Sequence, residues 1–202
     1  MKKINQRQVE FDCEDIFPKR WSPRSLSPEV TKEDLMKCFE AARWAPSSYN
    51  GQPWRFVYAI NRTPAWDILK QIPNEFNQKW ALNAGALVLT VSRKTFAYKN
   101  KPNIHYAHDT GAAWMSFALQ AEMQGLYTHA MAGIEYEKTK EILKIPEDYE
   151  VLAMFAVGKM GSKDSLPQDL KDKEAPSQRK PVSEFTFEGV FQADKPEEKK
   201  DE

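Results

Sequence analysis

Apolar positions along the chain fall into two kinds of run, and their alternation predicts a layered domain of strands and helices. Trp54-Arg55-Phe56-Val57-Tyr58-Ala59-Ile60 is aromatic and β-branched and ends at Asn61-Arg62, which predicts a strand, a turn and a short helix around Trp66 to Gln71. Ala86-Leu87-Val88-Leu89-Thr90-Val91 and Val151-Leu152-Ala153-Met154-Phe155-Ala156-Val157-Gly158 predict two further strands, apolar on both faces. Helical spacing governs residues 107–124, where Ala112, Ser116, Leu119 and Met123 recur on one side and Gly125 supplies the stop. Thr31-Lys32-Glu33-Asp34 resembles a capping box one methylene short, opening a helix whose Leu35, Cys38, Phe39 and Ala42 share a face and which ends by Pro46. The pattern alone leaves a layered α+β or α/β domain.

The ends look different. Residues 1–15 are polar with isolated apolar positions and are expected to be flexible; residues 191–202 are expected to form a charged, disordered tail. The 202 residues leave room for one domain, over residues 16–190. Within it, residues 162–188 carry Pro167, Pro176 and Pro181 with little periodicity, which is long for a loop inside a compact domain.

Charge narrows the function. Lys plus Arg and Asp plus Glu each number 29, and the basic residues are scattered, so the field that gathers nucleic acid or anionic lipid is absent. No apolar run approaches the roughly 20 residues that cross a bilayer. Cys13 and Cys38 form no C-x-x-C pair and no secretory segment opens the chain, so a cytoplasmic location is expected. Neither a G-x-G-x-x-G after a strand nor a phosphate-binding G-x-x-x-x-G-K-[ST] occurs. His105, His108 and Asp109 lack the further ligands that a metal site needs and read as surface or capping residues.

A bound phosphate must therefore be gripped by side chains. Arg20-Trp21-Ser22-Pro23-Arg24, if extended, points two guanidinium groups and a hydroxyl to one side; taken alone, the same five residues are compatible with a solvated basic stretch. Ala45-Pro46-Ser47-Ser48-Tyr49-Asn50-Gly51-Gln52-Pro53-Trp54 follows the first long helix, a loop held between prolines and crowded with hydroxyls and amides.

Arg-x-Ser-x-Arg, a capped helix, and Pro-Ser-Ser-x-Asn-x-Gln-Pro-Trp entering a strand together resemble the FMN-dependent nitroreductase family, over roughly residues 16–188. The resemblance implies a three-layer α/β/α sandwich with a mainly antiparallel central sheet, in an intertwined homodimer with flavin at the subunit interface. By it, Arg20, Ser22 and Arg24 are phosphate-side ligands of FMN, while Pro46, Ser47, Ser48 and Asn50, followed by Gln52, reach the flavin from the other subunit. Ala130, Met131, Ala132 and Gly133 pass beside the ring, where small residues permit close approach. Arg179 returns to the phosphate, although Ser177 stands where some members carry lysine. Asn77 aligns with an asparagine that contacts the ring, or is an ordinary helix-surface amide. Residues 162–188 would then be an arm lying over the partner subunit.

The implied activity is a ping-pong reaction: NADH or NADPH gives a hydride to flavin N5, then a nitroaromatic, quinone or similar small oxidant takes the electrons. No catalytic side chain and no metal are expected. The alternative is a flavin-binding protein on the same scaffold with another role: dehydrogenase on an organic substrate, flavin-fragmenting enzyme or non-catalytic binder.

Overall fold

The two runs that are apolar on both faces become the two central strands of one sheet. In the computed structural model, which describes residues 2–193, the elements in chain order are β1 (Lys2–Ile4), β2 (Arg7–Val9), α1 (Ile16–Lys19), β3 (Leu26–Ser27), α2 (Lys32–Arg43), β4 (Trp54–Ile60), α3 (Pro64–Leu69), α4 (Glu75–Ala81), β5 (Ala86–Arg93), α5 (Tyr106–Met123), β6 (Tyr127–Met131), α6 (Tyr136–Leu143), β7 (Tyr149–Met160) and α7 (Gln168–Lys171). β5 lies between β4 and β7, and β7 pairs on its other side with β6 and β3. Every pairing in this sheet is antiparallel.

Alternate residues of β5 and β7 serve two separate cores, which is why neither strand can carry a polar face. On one side Ala86, Val88, Phe155 and Val157 meet Leu35, Cys38 and Ala42 of α2 and Ala113, Phe117 and Ala121 of α5. On the other, Leu87, Leu89, Met154 and Ala156 meet Trp66 and Leu69 of α3, Trp80 and Ala81 of α4, and Leu170 of α7. The result is the expected α+β sandwich of three layers.

Helix ends follow the local chemistry. Thr31 Oγ1 accepts from the Asp34 N–H at 3.1 Å and Asp34 Oδ2 accepts from the Thr31 N–H at 3.1 Å, a complete capping box despite the shorter acid. α5 stops where Gly125 takes φ +76° and the Leu126 N–H returns to the Ala121 carbonyl at 2.8 Å.

Three parts of the chain depart from expectation. Residues 2–9, expected to be flexible, form the β1–β2 hairpin, held by the buried Arg7, which donates to the carbonyls of Pro18, Arg20 and Ser177. The stretch 162–188 is anchored in its own chain over its first half, because Leu166, extended just before α7, and Leu170 within α7 both enter the core and Glu174 is 2% exposed. Beyond it, residues 177–182 run beside the hairpin: Gln178 bonds Gln6 and Gln8, and the Val182 N–H donates to Glu10. Residues 127–131, for which the pattern predicts no strand, are strand β6. Most of the expected charged tail, residues 194–202, lies outside the described residues.

Loss of the cap is expected to be felt as stability alone. Thr31→Ala should cost about 1 kcal/mol in urea unfolding, with the same core and the same ligand behaviour.

Candidate functional site

β3, β6 and α4 bring the candidate residues of distant segments onto one strip of surface. Its cationic end is built from three arginines. Arg20 follows α1, and its Nη1 donates to Ser22 Oγ at 3.3 Å. Arg179, from the far end of the chain, is held by its own turn, donating to Ser177 Oγ at 2.9 Å and to the Gln178 carbonyl at 2.9 Å. Arg7 lies between them. The charges of Arg20 and Arg179 each act to lower the Arg7 guanidinium's pKa, which burial lowers first; Arg20 is likewise lowered by burial and then by Arg179. One buried acid faces this cluster: Glu122, in the last turn of α5, has its pKa raised by desolvation against the opposing pull of Lys19, Arg20 and Arg7. Three like charges against one carboxylate leave the end of the strip set up for an anion.

The middle of the strip is locked to the backbone. Glu174 Oε1 accepts from the Arg24 and Ser25 N–H groups at 2.8 and 2.7 Å and from Ser25 Oγ at 2.7 Å. This fixes the extended turn from which the Arg24 side chain leaves. Among the described residues the buried Arg24 Nε–H has no partner, and its guanidinium lies 6.0 Å from the Trp80 ring centre. Trp80 in turn packs 4.5 Å from the His129 ring. His129 Nδ1 is 3.1 Å from the Pro23 carbonyl, which can only accept, so the proton sits on Nδ1.

At the far end Asn77 is buried in α4 and is no surface amide. It donates to the Gly133 carbonyl at 2.9 Å and accepts from Trp80 Nε1 at 3.2 Å. A Cβ on Gly133 would meet the Asn77 and Asn74 amide nitrogens at 2.6 and 2.7 Å. A side chain here would have to displace these two amides, one of which holds the Gly133 carbonyl, a reason different from close approach of a ring. Around it Ala130 and Ala132 are exposed, whereas Met131 is 5% exposed and faces the core, so Met131 can offer the strip only its backbone.

The second group of expected residues lies elsewhere. Pro46, Ser47, Ser48, Asn50 and Gln52 form a loop in which Tyr49, Asn50 and Gln52 all take positive φ. Ser47 Oγ accepts from the Gln52 N–H, and Gln52 Nε2 donates to Asn50 Oδ1 at 3.0 Å. The loop is tied to the first turn of α5, where buried Asp109 accepts from the Ser48 N–H at 3.0 Å. Glu122 marks the other end of the same helix. At 1.5 Å per residue the two groups attach about 20 Å apart along α5, and within one chain they do not meet.

With this geometry in place, comparison with known proteins is decisive. The sequence model described as the Nitroreductase family matches residues 18–65 and 59–159. The chain belongs to the nitroreductase family. Its relatives include the oxygen-insensitive NADPH nitroreductase of Helicobacter acinonychis, 33% identical over 145 residues, spanning 67% of this chain and 63% of that one. The conjugated linoleic acid biosynthesis enone reductase of Lactiplantibacillus plantarum is 24% identical over 197 residues, spanning 79% and 90%. A crystal structure of an oxidoreductase containing FMN superposes with a TM-score of 0.92 at 40% identity, covering 96% of this chain and 100% of the other.

In this nitroreductase-family chain the strip owes its shape to residues that no local pattern announces. Arg7 lies before the matched region in a polar segment. Glu174 sits in a stretch without periodicity, where the spacing of Leu166 and Leu170 is the only trace of burial. Trp80 and His129 read as core or loop until β6 brings them together.

His129 also sets a pH dependence. Burial first, and then the charge of Arg24, push its pKa down from 6.5 to about 4 despite the hydrogen bond to Pro23. The unfolded chain then binds one more proton than the folded one between those values. Stability is accordingly full above pH 6.5 and declines as the pH falls toward about 4. Urea midpoints measured across that window should show the decline, and His129→Gln should flatten it.

Proposed function

We propose that the chain is an FMN-dependent oxidoreductase, working as a cytoplasmic homodimer, that takes a hydride from NADH or NADPH and passes the electrons to a small oxidant. The observation that carries this reading is the convergence of Arg20 and Arg179 around Arg7 at one end of a strip whose other end is the Asn77–Gly133 contact. A ligand that is anionic at one end and flat at the other suits that strip. The residues present fit FMN in a further respect: the buried Arg24 Nε–H has no protein acceptor, and a polar group of the ligand would supply one.

Bound there, the flavin supplies two-electron redox chemistry at N5, which donor and oxidant use in turn at one site. The chain's own residues bind and orient. Arg20 and Arg179 neutralise the phosphate by charge-assisted contacts. Arg24 adds a fixed positive charge on the inner side, held by Glu174, while neutral His129 adds none. Asn77 fixes the course of the 132–133 backbone. Such groups stabilise negative charge that develops during reduction without having to reorganise.

The dimer reading rests on the separation of the two groups along α5. A two-fold axis pairing α5 with its copy in antiparallel fashion would carry the 46–52 loop of one subunit to the arginine strip of the other. Tyr49 is 93% exposed, as a residue waiting for a partner surface would be. For the oxidant, nitroaromatics and quinones are the first candidates, and an activated alkene joins them because one relative is an enone reductase.

The test is an absorbance spectrum after loading with FMN and desalting, followed by anaerobic addition of NADH or NADPH. An oxidised-flavin spectrum that bleaches is expected; a protein that stays colourless overturns the reading. Arg20→Ala should weaken FMN binding by about ten- to a hundredfold, as loss of a charge-assisted contact predicts.

A further inference from the structure

Arg7 lies outside the stretch that matches the family, in a hairpin whose local sequence has no evident binding role. Three of its five N–H donors go to backbone: Nε donates to the Ser177 carbonyl at 2.9 Å, and Nη1 donates to the carbonyls of Pro18 and Arg20 at 3.0 and 2.6 Å. These three carbonyls belong to the two segments that carry Arg20 and Arg179. The other tie between these stretches, Glu174 to the Arg24 and Ser25 N–H groups, lies farther along both, so Arg7 is the link nearest the two arginines. Burying an arginine at 6% exposure beside two others is costly, and an apolar residue would fill the same space without repulsion. The fork geometry explains the choice, because only a planar guanidinium reaches acceptors on both segments from one rigid group.

We propose that Arg7 is a positioning residue for the anion end of the strip: it sets the spacing between the segments bearing Arg20 and Arg179, and the β1–β2 hairpin exists here to deliver it. Arg7 does not touch the ligand; it acts through the backbone from which the two contacting arginines project. The hairpin is fastened from outside by Gln178, whose amide donates to the Gln6 carbonyl at 2.8 Å and accepts from the Gln8 N–H at 3.2 Å. Spacing between the two arginines should therefore depend on how firmly the hairpin is seated.

This inference rests on assigning the phosphate of FMN to Arg20 and Arg179, and the experiment separates the two claims. Dissociation constants of FMN and of riboflavin, which lacks the phosphate, are measured by quenching of flavin fluorescence for the full chain and for Arg7→Lys, Gln178→Ala and Arg20→Ala. Arg7→Lys keeps the charge and loses the fork. It should reduce the preference for FMN over riboflavin by about tenfold, the scale of one charge-assisted contact, with riboflavin affinity nearly unchanged. Gln178→Ala, at an exposed position that does not threaten folding, should reduce the same preference by a smaller factor. If Arg20→Ala lowers the preference while Arg7→Lys and Gln178→Ala leave it intact, the proposal for Arg7 fails and the phosphate assignment stands. If Arg7→Lys weakens both ligands equally, its role is general stability and the proposal also fails. If Arg20→Ala leaves the preference unchanged, the phosphate assignment itself is wrong. Where Arg7→Lys gives no folded protein, the Gln178→Ala ratio decides alone.

Discussion

Strand β7 is the constraint on which the other parts depend. Its twelve residues pair with β5 along one edge and with β6 and β3 along the other, and its inner residues are buried on both faces. Because β3 is only two residues long, it can be held there only by very close approach: a Cβ on Gly158 would lie 2.6 Å from the Ser27 carbonyl oxygen, against backbone that cannot yield. That contact places the Arg20–Arg24 segment. The β6 pairing places the 132–133 turn. Both walls of the arginine strip are thus set by the register of one strand, and a slip of one residue would separate them while turning the core outward.

Register alone leaves the strip loose, since its residues lie on extended chain and turns. Buried charge supplies the rest. Glu174 and Arg7 point at backbone, one accepting from N–H groups and the other donating to carbonyls. Each thereby recovers part of its lost hydration and fixes a stretch of chain that has no ladder of its own. The cost is tolerable because the acceptors and donors are already in place when the charge is buried.

Where structure arises from local periodicity, it is legible in the sequence. β4, β5 and β7, the α2 capping box and the Gly125 stop of α5 all announce themselves within a few residues. β6 does not: Tyr-Thr-His-Ala-Met has weak alternation, and it becomes a strand because β7 offers it an edge. The N-terminal hairpin is invisible for a related reason, being largely polar and held by partners outside itself: Arg7 bonds Pro18, Arg20 and Ser177, and Gln178 bonds Gln6 and Gln8. Gly133 shows a subtler gap. Its smallness is apparent from sequence, but the cause, two amide groups of the Asn74 and Asn77 pair, appears only in three dimensions. The arginines and the 46–52 loop are legible as chemistry, while the 20 Å or so between them along α5 depends on tertiary placement.

The two ends of the domain are stitched to each other, with Arg7, Gln6, Gln8 and Glu10 bonded to Ser177, Gln178 and Val182. A ribosome delivers these partners about 170 residues apart. The sheet can assemble once β7 has emerged, yet the anion end of the strip waits for residues that follow it by about one more helix and turn. A nascent chain halted after the sheet would therefore be folded at its centre while the segments that carry Arg20 and Arg179 were still unjoined.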